Sequence, residues 1–203
     1  MIRNLLKFVA ILGLVCTVTG GGVAALYGLW RGRIAAREAA VRRAAIQNVA
    51  PQSTTVDAEH PVAGEAGTPS AVYAARNAAG EAVAYVAAGA AQGYASTVRV
   101  MVGARPTPEG LAIHKVVVTA QAETPGLGAN VAEQRSTYTL WQKLFGAREP
   151  ERVFNPFLDR FQGKTGVQVG DVQAITAATI TSSATKKAVK QALGRIREAI
   201  EKK

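Results

Sequence analysis

The 203-residue chain predicts an α+β fold carried behind one N-terminal transmembrane helix. Three observations point there: an uncharged apolar run at the start, four successive β-like runs in the middle, and an amphipathic helix at the end. Strands followed by helices, in place of a regular alternation, are the order of an α+β domain with an antiparallel sheet packed by helices.

The apolar run extends from Phe8 to Trp30, 23 residues without a charge. About 20 residues of helix cross a hydrocarbon core, so this stretch can span. Lys7 precedes it and Arg31-Gly32-Arg33 follows, with Tyr27 and Trp30 where interfacial aromatics sit. A cleaved signal peptide is the alternative, because small residues follow Val18. Cys16 follows Val15, lacks the small neighbour a lipoprotein signal needs, and is read as part of the span.

Residues 31–48 are rich in Ala and Arg and continue the helix, completing an anchor over residues 1–48. Residues 49–70, with Pro, Gly, Ser and Thr and little apolar bulk, are expected to be a linker. The folded domain is then expected over residues 71–203. Within it, Ala71–Arg76 and Ala82–Ala87 flank Asn77-Ala78-Ala79-Gly80 as a hairpin. Thr97–Val102 alternates apolar and polar, and Leu111–Val118 follows a turn at Arg105–Gly110, making an antiparallel meander. A helix is expected over Ala132–Phe145, a short strand over Val167–Val169, and a last helix from about Ser183. That helix carries Val189, Leu193, Ile196 and Ile200 on one stripe.

The net charge of +10 suggests a nucleic-acid partner only if it is spread over one surface. Residues 1–43 hold seven Lys and Arg against one acid, and residues 184–203 hold seven against two, whereas residues 44–183 are nearly neutral. Basic ends around a neutral middle fit a membrane-proximal protein and exclude nucleic acid from the expected partners. One Cys and two His exclude a disulfide framework, a Cys-rich zinc site and an iron–sulfur cluster, and no metal site is expected. Nothing forms an acid–base pair or a nucleophile triad, so no catalytic residue is assigned.

Two segments carry chemistry. Thr176-Ala177-Ala178-Thr179-Ile180-Thr181-Ser182-Ser183 clusters hydroxyls before a basic helix, where unpaired amides and the helix dipole favour an anion such as phosphate. Simple N-capping needs only one of those hydroxyls. Glu123-Thr124-Pro125-Gly126-Leu127-Gly128 is a turn whose glycines let backbone amides approach a ligand, or an ordinary strand-to-helix connection.

Taken together, Glu123–Gly128 and, some fifty residues later, Thr176-Ala177-Ala178-Thr179 resemble the FMN-binding domain of the G subunit of the bacterial Rnf electron-transport complex. They also resemble the related C subunit of the sodium-pumping NADH:quinone oxidoreductase. The resemblance covers roughly residues 71–200 and the single span, and the chain length favours the Rnf subunit. It implies covalent FMN, held by a phosphoester to the side-chain oxygen of Thr179, with Thr176, Ala177, Ala178 and Thr181 around the attachment point. It implies that Glu123, Thr124, Gly126, Leu127 and Gly128 surround the isoalloxazine, with Tyr94 on the same side. At Ala177 the family usually has Gly, and a methyl there restricts φ.

The expected function is therefore that of a membrane-anchored electron carrier, a redox subunit of an ion-translocating ferredoxin:NAD oxidoreductase. The C subunit of the sodium pump and a stand-alone flavin-binding sensor or regulatory protein are the alternatives. The implied partners are the integral-membrane and peripheral subunits of the complex and a flavin transferase. The implied location is the bacterial inner membrane, with the FMN domain on the extracytoplasmic side.

Overall fold

The computed structural model describes residues 2–52, 54–65, 67–68, 70–137 and 152–202. The first helix, α1, runs Ile2–Val49. The chain divides into a unit of residues 1–41 and a compact unit of residues 42–203.

In the first unit, the described side chains of the apolar run are exposed along the helix, which is long and apolar enough to cross a membrane. Its polar groups are handled locally. Thr17 donates to the Gly13 carbonyl and Thr19 to the Val15 carbonyl, each at 2.8 Å, as hydroxyls in an apolar helix must when no water is at hand. Arg33 lies 5.0 Å from the centre of the Trp30 ring, a cation–π contact at the end of the uncharged run.

The second unit is built on a five-stranded antiparallel sheet: β1 (Thr55–Val56), β2 (Val72–Arg76), β3 (Ala82–Gln92), β4 (Thr97–Thr107) and β5 (Gly110–Ala120). The strands neighbour one another in chain order, the meander that the sequence predicts. Asn77 fixes the β2–β3 turn by accepting the Ala79 and Glu81 amides on Oδ1. The strand β4 runs five residues past Val102, so that the expected Arg105–Gly110 turn tightens to Thr107–Gly110.

Both faces of the sheet are covered. Along β2, Val72 and Ala74 belong to one apolar cluster, Tyr73 and Ala75 to another, which is the two-residue period of a strand buried on both sides. The first cluster lies under the C-terminal helix α2 (Thr179–Glu201) and takes in Val189, Leu193 and Ile196, with Ile200 packed at its edge. That is the stripe predicted from sequence, although α2 begins four residues before Ser183. The second cluster is closed by the end of α1, whose Ile46 and Val49 are fully buried. A Cβ added at Gly103 would stand 2.0 Å from the Val49 carbonyl oxygen, so only glycine lets this helix end reach β4.

The region expected as a linker therefore behaves differently. The compact unit starts at Arg42 and not at residue 71, and residues 49–70 carry β1, which pairs with β2. Two further expectations are corrected. Residues 128–132 form a 3-10 turn and Arg135–Thr137 form β6, paired with β7 (Arg152–Phe154), where the start of a helix was expected. The remainder of that expected helix, residues 138–145, lies outside the described residues. In place of a strand at Val167–Val169 there is a 3-10 turn at Gln168–Asp171, with Val167 exposed and Val169 buried in the core.

Candidate functional site

A cavity of about 390 Å³ opens where three segments converge: the β3–β4 loop, the turn after β5 and the first turn of α2. Tyr94, Glu123, Thr124, Leu127, Gly128, Ala177, Ala178, Thr179 and Thr181 line it, all of them residues singled out from sequence. Ile180 lines it too and was not singled out. Gly126 and Thr176, also expected there, stand exposed outside the lining.

Glu123 ties these segments together. Its Oε1 accepts the Ala95 amide at 3.1 Å, the Ser96 amide at 2.8 Å and the Ser96 hydroxyl at 3.1 Å. Its Oε2 accepts the Tyr94 amide at 3.1 Å and the Thr181 hydroxyl at 2.6 Å. Burial pushes this carboxyl up, but hydrogen bonds from Thr181, Ser96 and Tyr94 outweigh it and leave the group below its ordinary value. The loop is braced further: Gln121 accepts the Glu123 amide at 2.7 Å, and the Ser96 hydroxyl accepts the Ala122 amide at 2.8 Å. At Gly128 a Cβ would meet Thr181 Oγ1 at 2.6 Å and Glu123 Oε2 at 2.8 Å, so glycine is what lets the turn close over this carboxylate.

Sequence reasoning missed Ser96 because its role is a contact across 27 residues between two loops. Ile180 had a signal: it sits between two hydroxyls already assigned to the site.

The start of α2 settles what the hydroxyl cluster does. The cap position is Ala178, which offers no side-chain hydrogen bond, and the first helix amide to reach a backbone carbonyl is that of Ser182, donating to Ala178 at 2.9 Å. Ser182 Oγ instead accepts the Ile175 amide, and the Thr181 hydroxyl is committed to Glu123. The cluster is therefore not a cap. A 23-residue helix points its uncapped N-terminus at the cavity, with Thr179 exposed in its first turn.

The lining also carries exposed apolar side chains, Tyr94 and Leu127 from the two loops and Ile180 beside Thr179. A flat hydrophobic ring system at one side and an anionic group at the other is what this lining accommodates. FMN has that shape and charge. The leucine, isoleucine and tyrosine fit its ring, and the uncapped helix end fits its phosphate. Among the described residues no cluster of His, Cys, Asp and Glu could hold a metal ion.

The family model described as FMN-binding domain matches residues 93–194, which contain the whole cavity lining. Among solved structures the chain is similar to NqrC of Shewanella oneidensis, with 19% identity over 77% of this chain and 74% of that one, and a TM-score of 0.45. No curated protein matches.

Proposed function

Because this chain belongs to the FMN-binding domain family, we propose that it is a membrane-anchored electron carrier whose FMN is esterified to Thr179. The observation that carries the reading is the exposed Thr179 in the first turn of an uncapped helix, on the wall of a cavity that is also lined by the apolar side chains of Tyr94, Leu127 and Ile180. Bound FMN supplies one- and two-electron chemistry, and the chain supplies placement and electrostatics.

Each residue has a part in that placement. The α2 dipole and its open amides hold phosphate charge at the helix start, next to Thr179. Tyr94, Leu127 and Ile180 offer an apolar surface that would shield a bound ring from water. Glu123 fixes the two loops against α2. Attachment needs a flavin transferase and FAD. The Thr179 oxygen–phosphorus bond forms, the FAD pyrophosphate bond breaks, AMP leaves and the hydroxyl proton is lost.

The motifs around Glu123 and Thr179 support membership in an ion-translocating oxidoreductase complex of the Rnf or sodium-pump kind, of which we take the Rnf type, with other redox subunits as electron donor and acceptor. The C subunit of a sodium pump differs from this in its partners, and co-purification from the native membrane distinguishes the two. The test of attachment is the mass of the denatured chain after co-expression with a flavin transferase. The wild type exceeds its sequence mass by one FMN less one water, and Thr179→Ala does not. An increment retained in Thr179→Ala overturns the assignment.

A further inference from the structure

Glu123 is a carboxylate 6% exposed on the cavity wall, and attachment at Thr179 makes no use of its charge. Everything that satisfies it is neutral: three backbone amides and the hydroxyls of Ser96 and Thr181. Among the described residues no Lys, Arg or His pairs with it. A buried carboxylate takes up a proton unless hydrogen bonds or a cation hold it ionised. Here donors alone do so, and they stabilise the charge without cancelling it. A charge walled off from water is screened less than one at the surface, so its field extends into the cavity.

Resting on the reading that this cavity holds FMN, we propose that Glu123 is a fixed negative charge, without a cationic side-chain partner among the described residues, that lowers the reduction potential of the flavin beside it. Electrons arriving from an external donor, which is oxidised in turn, add negative charge near an existing anion, and the repulsion disfavours the reduced form. Glu123 is also the clasp of two loops, so the test must separate its charge from its hydrogen bonds.

The full-length chain, loaded with FMN by a co-expressed flavin transferase and purified in detergent, is titrated spectroelectrochemically. Glu123→Gln keeps the side-chain volume and an acceptor for Ala95 and Ser96 but removes the charge. Its midpoint should move positive by roughly tenfold in the oxidised-to-reduced ratio, about 59 mV for a one-electron couple. Ser96→Ala weakens the clasp and keeps the charge, so its midpoint at neutral pH should stay or fall. Equal positive shifts in both variants would mean that loosening, not charge, sets the potential, and would overturn the proposal. If Glu123→Gln does not fold, the wild type and Ser96→Ala decide by their pH profiles. Flavin reduction takes up protons and raises the midpoint on acidification by itself. Neutralising the carboxylate should add a further rise, and this added rise should come at a higher pH in Ser96→Ala, which has lost a donor; identical profiles overturn the proposal. A wild type that takes up no FMN overturns the functional reading and this one with it, whereas an unmoved potential in flavin-loaded Glu123→Gln overturns this one alone.

Discussion

Ala177 holds a φ of 63°, alone among the described non-glycine residues in the left-handed region, at the point where the chain turns into α2. An L side chain there costs about 1–2 kcal/mol. Glycine relieves that and returns about 0.4–1 kcal/mol through its freer unfolded state. Ala177→Gly should therefore stabilise the domain by about 0.5–1 kcal/mol, raising Tm by roughly 1–4 °C; a lower Tm would show that the methyl contributes packing that outweighs its strain. Glu123 sets a second residue-scale expectation. Its folded pKa lies below the ordinary value, so the unfolded chain binds more protons through the acid range. The stability it contributes is complete above the ordinary glutamate pKa and is lost as pH falls through the folded one. Glu123→Gln should be less stable at neutral pH yet lose less on going from pH 7 to pH 4, measured by thermal unfolding. An unchanged acid slope would place the acid sensitivity in other carboxylates. At this scale most of the lining of the candidate cavity was legible, because Glu123 and Thr179 sit in short local motifs. The Ser96 contact was not, since no local pattern encodes a hydrogen bond between separate loops.

At the scale of elements, periodicity recovered what is long and regular. The four strands and the apolar stripe of α2 announced themselves because each buries a repeating set of side chains. The failures are short elements. Val167 and Val169 mimic strand alternation, yet Val167 stands exposed just before the 3-10 turn and Val169 is buried within it. β1 is two residues long, too short to leave a pattern in a stretch rich in Gly, Pro and Ser. The end of α1 carries no legible core signal, because its Ala and Arg content hides two apolar side chains, Ile46 and Val49, that close the second core cluster. Ile46→Ala should therefore destabilise the domain by about 2–4 kcal/mol, as removal of a fully buried aliphatic does. Val41→Ala, at an exposed position five residues earlier, should leave stability within about 0.5 kcal/mol of wild type. Equal urea midpoints for wild type and Ile46→Ala would show that this end of α1 adds nothing to the stability of the domain.

At the scale of the whole molecule, charge and length divide the chain more clearly than composition does. The compact unit begins at Arg42, so a chain starting there should fold and take FMN without detergent, whereas one starting at residue 51 uncovers the face of Tyr73, Val86 and Met101 and should aggregate. The side of the membrane on which this unit lies is the remaining question. Five basic residues follow the span within residues 31–43, against Arg3, Lys7 and the amino terminus before it, and by the positive-inside rule this places the domain in the cytoplasm. That rule is counted over loops shorter than about 60 residues, and longer domains translocate largely regardless of flanking charge. A unit of residues 42–203 exceeds that length by far. The likeness of its two motifs to subunits flavinylated outside the cytoplasm then decides the expectation, and the domain should be extracytoplasmic. A phosphatase fused after Lys203, active only when exported, should be active in whole cells, and a fluorescent protein that matures only in the cytoplasm should stay dark. The opposite pair of results would put the domain inside and require a flavin transferase working in the cytoplasm.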